Sequence, residues 1–395
     1  MIINEDTFIS RKQFLFYAAW VVFLLSIILD RTMWAANSDS ITIVLKIGRY
    51  AAYAIGMVGI CLESFEKKSF AMLVVMIGVS VLSFLSCSNI TMVLYMVLFA
   101  VAYHLDGQQF LKVSISVQIF LLGLVVIGSQ FGIVEDYIFT PETRLRHGLG
   151  FSWTTTGAIL FLFIVFEYIA IRKEKIKYIE FLILEIISFI LYRLTDSRMA
   201  FALCSVFLVF QVFVKFFKYR FGITKFFKKL FVFVPSVICV FAIAIHYFYN
   251  PDNELWMKLN DLLSGRLRLG KQGIAEYGIS LLGNSIKWVG YSADAVEGTY
   301  NYVDCSYLQI LLEYGLIFLV MVIAIYTVII YKAVKNENYF LLWSVIFVLI
   351  FSITEPRLMN LSFNPFPLLV MCNLDSKEKD PESEKKINET EIYYT

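Results

Sequence analysis

Apolar residues in this chain fall into runs, each near the length of a membrane crossing and separated by short polar stretches. A spanning helix needs about 20 consecutive apolar residues. Runs close to that length lie at 14–29, 41–62, 69–86, 89–105, 111–131, 153–171, 176–193, 199–217, 230–249, 306–331, 339–354 and 358–373. They predict an all-α polytopic membrane protein with about eleven or twelve transmembrane helices, the last two runs being short enough to form one broken helix. The first run has no small-residue cleavage site behind it and reads as a helix, not a signal peptide. The one long polar excursion divides the chain. Residues 1–249 form an N-terminal bundle of about nine spans, and 250–305 a large extracytoplasmic loop with short interfacial helices and the candidate active site. The C-terminal spans follow over 306–375, then a charged cytoplasmic tail over 376–395 that is expected to be disordered.

Composition agrees with this reading: 59% of the 395 residues are hydrophobic, 17% are charged, and the mean hydropathy is +0.72. A soluble domain of this length does not have that profile, and nothing in it suits nucleic acid. The six cysteines are scattered, with neither a disulfide framework nor metal-ligand spacing. The chain lacks a phosphate-cradling Walker loop, a dinucleotide glycine pattern and a His-Glu-x-x-His pair, so no cofactor or metal is expected.

Basic residues set the expected orientation. Arg11 and Lys12, Lys67 and Lys68, Lys112, the 172–177 stretch, Lys215 to Lys229, Lys332 and Lys335, and Lys377 to Lys386 occupy alternate loops. By the positive-inside rule these are cytoplasmic, as are both termini if there are twelve spans. The opposite loops hold eight of the twelve arginines (Arg31, Arg144, Arg146, Arg193, Arg198, Arg266, Arg268 and Arg357) but only three lysines, Lys258, Lys271 and Lys287. Insertion topology explains inner lysines and does not explain outer arginines. A guanidinium offers a planar fork of donors that fits phosphate bidentately, whereas an ammonium is a point charge. The outer arginines therefore point to a phosphate or diphosphate ligand, with lipid headgroups or ion pairs to Asp136, Glu142 and Asp196 as the alternative.

Charges within runs also call for a reason. Lys46 and Arg49 lie on nearly one face of the second run, where they are candidates for contacting a carrier phosphate or for pairing with Glu185 or another carboxylate. Glu167 falls near the lysine-rich end of its run and is expected to snorkel. In the large loop, Asn250-Pro251 suggests a helix start, and Trp256, Leu259, Leu263 and Leu267 share one helical stripe. Gly265, Gly270 and Gly273 argue against a helix continuing past Arg266, so a bend is expected to let Arg266 and Arg268 converge. Outer aromatics, among them Tyr137, Trp153, Trp288, Tyr291, Tyr300 and Tyr302, suit either sugar stacking or an interfacial belt.

The segments Arg144-Leu145-Arg146-His147-Gly148, Thr195-Asp196-Ser197-Arg198, Ser264-Gly265-Arg266, Asp304-Cys305-Ser306-Tyr307 and Glu313-Tyr314-Gly315 follow one another along this span pattern. In this order they resemble the Wzy-type polysaccharide polymerases of the O-antigen ligase/polymerase superfamily. That family often carries a His-Pro-Asn-like stretch where this chain has Ser152-Trp153-Thr154-Thr155, and the large loop lacks the histidine of many ligases. The second departure favours polymerase over ligase. The resemblance implies a metal-independent glycosyltransferase of a bacterial cytoplasmic membrane. Such an enzyme transfers a growing glycan from undecaprenyl diphosphate to the non-reducing end of the next lipid-linked repeat unit, building a capsular or O-antigen-type polysaccharide. Its partners would be the lipid-linked donor and acceptor, the bilayer, and a flippase and chain-length regulator. The alternatives are a ligase and a lipid-linked oligosaccharide flippase.

For that chemistry the diphosphate-binding candidates are Arg266 and Arg198, supported by Arg146, Arg357 and Arg268. Solvated charge is the alternative for Arg268. A general base should be an outer carboxylate or histidine, which leaves Asp304, His147 and Glu355. Asp304 has helix capping as its alternative role, and Glu355 has pairing with Arg357.

Overall fold

The computed structural model describes residues 5–140, 144–217, 229–290 and 300–374, so the predicted tail and part of the 250–305 loop, including Tyr291, lie outside the described residues. The order is α1 (Glu5–Leu29), α2 (Met33–Ala36), α3 (Asp39–Cys61), α4 (Lys67–Cys87), α5 (Thr91–Val101), α6 (Gly107–Gln130), then a two-stranded antiparallel hairpin of β1 (Ile138–Phe139) and β2 (Arg146–His147). It continues with α7 (Thr156–Arg172), α8 (Tyr178–Thr195), α9 (Arg198–Phe216), α10 (Val234–Tyr247), α11 (Glu254–Leu262), α12 (Arg266–Tyr277), α13 (Ser306–Glu313), α14 (Gly315–Lys335) and α15 (Tyr339–Phe351). The protein is an all-α polytopic membrane protein. Among the described residues, α3, α4, α6, α9 and α14 are long and apolar enough to cross a membrane, and shorter apolar helices accompany them.

Side-chain caps mark where several helices begin. Ser38, Asp106, Asn253 and Asn338 each accept from backbone N–H groups of the first turn, satisfying donors that a helix start leaves orphaned. Burial then separates the helices. α7 is enclosed nearly all round, with Phe163 and Phe166 edge-on to Phe351, Phe363 and Phe207. By contrast α3, α4, α8 and α9 expose Val44, Ile47, Val75, Leu85, Ile186 and Val209. A continuous exposed apolar surface of this kind is what a bilayer covers.

Every predicted run but the last contains α-helix, and the last departs for a physical reason. Residues 358–373 are almost wholly buried, yet only 366–370 form a 3-10 turn. Pro365 and Pro367 remove donors that a helix would need. Side chains from regular helices, and Asn364 of the segment itself, satisfy the freed carbonyls. Lys332 donates to the carbonyls of Val370 (2.8 Å) and Cys372 (3.0 Å), Gln118 to that of Ser362 (3.2 Å), and Tyr326 and Asn364 both to that of Leu358 (2.7 Å each). Irregular backbone at membrane depth is tolerated only when protein surrounds it in this way. The segment runs from Arg357 at one end of the molecule to Asn373, which pairs with Leu105 and Gly107 at the other.

The predicted 306–331 run is also interrupted. Gly315, at φ +88°, turns the chain between α13 and α14. A Cβ there would strike the backbone of Leu281, Leu282 and Gly283, while one on Gly283 would strike the carbonyl of Glu313. The close approach lets the loop complete the broken helix, with the N–H of Leu316 bonded to the Ser280 carbonyl and that of Ile317 to the Leu281 carbonyl. The loop thereby fixes Glu313 at the kink.

Packing settles where the charges within runs lie, and one expectation is corrected. Glu167 does not snorkel: it is fully buried beside Ser114 and Gln118, with no well-formed hydrogen bond to either carboxyl oxygen. Arg49 takes the second of its two expected roles, pairing with another carboxylate, Asp30, at 2.6 Å, while Lys46 is exposed on the outer surface of α3. Glu185 accepts from Ser205 at 2.6 Å.

Candidate functional site

The large loop folds differently from its predicted stripe. Its first helix starts at Glu254 under an Asn253 cap, not at Asn250, and ends at Leu262. Ser264 (φ +56°) and Gly265 (φ +82°) then reverse the chain, and a new helix, α12, opens at Arg266. Gly270 and Gly273 do not break that helix. They let it approach its neighbours: a Cβ on Gly270 would overlap the His246 ring, and one on Gly273 would meet Val303 at 2.9 Å and Leu312 at 3.2 Å. His246 is a satisfied core histidine whose Nδ1 lies 2.6 Å from the Ala242 carbonyl oxygen.

This packing drives Arg266 inward. Its Nη2 lies 2.7 Å from Glu355 Oε1 and its Nε 3.5 Å from Asp304 Oδ2, with side-chain exposures of 18% for Arg266 and Asp304 and 10% for Glu355. Arg268, two residues on, is exposed and does not converge with Arg266, because positions i and i+2 of one helix diverge. The alternatives weighed for the carboxylates fall away. Cys305, not Asp304, stands at the start of α13, and no side chain caps it. Glu355 pairs with Arg266 and not with Arg357.

Burial pushes both carboxyls above the ordinary range, with Arg266 pulling the other way. For Arg266 burial is the largest influence and acts downward, but Glu355 and Asp304 together outweigh it and raise the net pKa. One guanidinium shared by two buried carboxyls is an arrangement in which a proton is held readily.

Arg357 sits beyond this triad, with Arg31 beside it. Their guanidinium carbons lie 4.7 and 5.1 Å from the centroid of the Phe363 ring. Each Nε is buried without a hydrogen-bond partner, and neither arginine is in an ion pair among the described residues. Burial and the neighbouring Arg357 charge pull the Arg31 pKa down to about 10. The two line a cavity of about 330 Å³ together with Tyr95, Trp288, Tyr302 and Glu313. Small-molecule sites commonly have volumes from about 300 Å³ upward. A second cavity of about 540 Å³ lies between α12 and residues 300–303, shares Tyr302, and contains no arginine among its lining residues.

The remaining candidates form a second cluster. Arg144 Nη1 lies 3.5 Å and Arg198 Nε 3.1 Å from Asp196 oxygens, and the two arginines are 51% and 58% exposed. Arg146 donates to the Thr195 carbonyl at 3.1 Å and lies over Trp153. His147 pairs through Nδ1 with Asp136 at 2.6 Å. The two clusters touch through the 148–152 segment, where Ser152 N–H and Oγ both donate to the Arg31 carbonyl and Met33 N–H to that of Gly150.

The structure thus brings together Arg266, Asp304, Glu355 and Arg357, and separately Arg146, His147 and Arg198. In the sequence Arg31 is one outer arginine among eight, and Glu313 stands out only as part of Glu313-Tyr314-Gly315. The signal for Arg31 was its place directly after the first run. That for Glu313 was a lone charge between Leu312 and Tyr314. No protein-family model and no curated protein matches the sequence.

Proposed function

We propose that this protein polymerises polyprenyl-diphosphate-linked oligosaccharide units at the extracytoplasmic face of a bacterial cytoplasmic membrane. One observation carries the reading: two guanidiniums in no ion pair among the described residues share a concave, aromatic-walled cavity at the end of the bundle opposite the lysine-rich loops. Two like charges held this close repel each other unless an anion joins them, and a diphosphate supplies one. Trp288 and Tyr302 offer flat apolar faces beside it, suited to sugar rings. Leaving diphosphate gains charge as its glycosidic bond breaks, so cations fixed in place favour the transition state.

The cavity's position near the mouth, not at mid-bundle, supports transfer chemistry over transport. Arg357 and Arg31 replace Arg198 as the preferred diphosphate contacts, and Arg266 becomes a structural partner of the two carboxyls. The test is purified protein in nanodiscs supplied with a lipid-diphosphate-linked repeat unit, with products separated on a gel. The expected result is a ladder of repeats from the unaltered protein that is lost on Arg357→Ala. Single addition to an unrelated acceptor would favour a ligase. Movement of the lipid-linked unit between leaflets without any transfer would favour a flippase.

A further inference from the structure

Among the described residues, Glu313 is the one carboxylate that lines the arginine cavity. Its setting differs from that of Asp304 and Glu355, whose charges are taken up by Arg266. Glu313 is buried, and its two oxygens accept from neutral donors: Oε1 from Asn89 Nδ2 and Oε2 from Trp288 Nε1, each at 2.7 Å. Both donors are themselves fixed. Asn89 accepts from the Thr91 N–H at 3.1 Å, and Trp288 adjoins the Val289–Asn301 bridge with its ring edge-on to Tyr277 and Tyr302. The backbone at Glu313 is held as firmly, since its carbonyl accepts from Asn284 at 3.0 Å across the glycine contact that makes the kink.

We infer that Glu313 is the catalytic base, taking the proton of the acceptor sugar hydroxyl. The inference rests on the polymerase reading above. In the step, the hydroxyl O–H electrons become available as its proton passes to a Glu313 oxygen. The hydroxyl oxygen bonds to the donor's anomeric carbon. The bond from that carbon to the diphosphate oxygen breaks, its electron pair leaving with the diphosphate between Arg31 and Arg357. Glu313 then releases the proton to water. Neutral donors on both oxygens hold the carboxylate in one orientation without neutralising it, and lone pairs remain for a substrate.

Other ionisable groups nearby are Cys87 of α4 and Tyr314 beside Glu313, and Arg31, Tyr95, Tyr302 and Arg357 across the cavity. On the helices packed against α13, His246 lies on Gly270, and Arg266 faces Asp304 and Glu355. The test is the pH dependence of single transfers from the lipid-diphosphate donor in nanodiscs. Unaltered protein should show an acidic limb, with the rate rising tenfold per pH unit. Glu313→Gln should lower kcat at least a hundredfold, leave the donor KM within threefold, and abolish that limb. Asn89→Ala removes a donor to the carboxylate, so it should move the limb to higher pH in a protein that still transfers. Asn89→Ala decides the matter if Glu313→Gln does not fold. A limb unmoved by Asn89→Ala, or a Glu313→Gln rate within threefold of the unaltered one, overturns the assignment and leaves the polymerase reading standing. Unaltered protein that binds the donor yet transfers nothing overturns that reading itself, and this one with it.

Discussion

Two groups of arginines stand at the same end of this bundle and differ in what surrounds them. Arg144 and Arg198 reach Asp196 from half-exposed positions, where water screens the pair. Arg266 is enclosed with two carboxyls, while Arg31 and Arg357 crowd one aromatic ring with buried, unpartnered Nε atoms. Exposed pairs contribute about 0–1 kcal/mol. Breaking a buried pair by deleting one partner costs about 3–5 kcal/mol. The same residue type, at one end of one molecule, therefore stands in solvent in one place, and in another is buried with carboxyls or beside a cavity where the proposed diphosphate would bind.

The largest expected effect is on the buried triad. Arg266→Ala would strand Asp304 and Glu355 without their cation and should destabilise the protein by about 3–5 kcal/mol, read as a lowered Tm in detergent. An unchanged Tm would place Arg266 with the exposed arginines. Next come Arg31→Ala and Arg357→Ala, each of which, on the proposed function, removes a fixed cation from the leaving group. Each should reduce transfer about 10²–10³-fold, by analogy with deleting a transition-state donor, with Tm little altered. A smaller effect separates the triad by pH. Burial raises both carboxyl pKa values in the folded state, so the folded protein holds protons that the unfolded chain releases. Their contribution to stability is fully present below the unfolded carboxyl range. It is lost as pH rises through the elevated folded values. A Tm series from pH 4 upward should fall on this account, and Glu355→Gln should flatten it. Smallest of all, Arg198→Ala should change stability by at most about 1 kcal/mol, an effect that salt removes.

Much of the fold was legible in the sequence, because bilayer-length apolar runs leave helix as the main way to satisfy backbone groups. The exception is instructive. Residues 358–373 form an uncharged, mostly apolar run, and an apolar majority alone does not separate a lipid-facing helix from an irregular segment wrapped in protein. The prolines at 365 and 367 and the asparagines at 360 and 364 carried that information. Glu167 shows the same limit: hydropathy locates a charge along a run and says nothing of which side faces protein.

The candidate site was legible by residue type and illegible by partnership. Outer arginines stood out against inner lysines, yet Arg266 meets Glu355 across 89 positions of sequence, and Arg31 meets the Phe363 ring from the far end of the chain. Local patterns could not select among eight arginines, because burial decides their roles and tertiary packing decides burial. The glycines misled for a related reason. In an isolated helix Gly270 and Gly273 are destabilising. Here they let α12 approach His246, Val303 and Leu312, and so carry Arg266 inward.

The central claim is that the buried arginines, and not the exposed ones, receive the diphosphate. Direct binding of undecaprenyl diphosphate to nanodisc-embedded protein tests it. The account predicts that Arg31→Ala and Arg357→Ala each weaken binding at least tenfold, while Arg144→Ala and Arg198→Ala leave it within twofold. Loss of binding confined to Arg144→Ala and Arg198→Ala would contradict it and move the ligand to the Asp196 cluster.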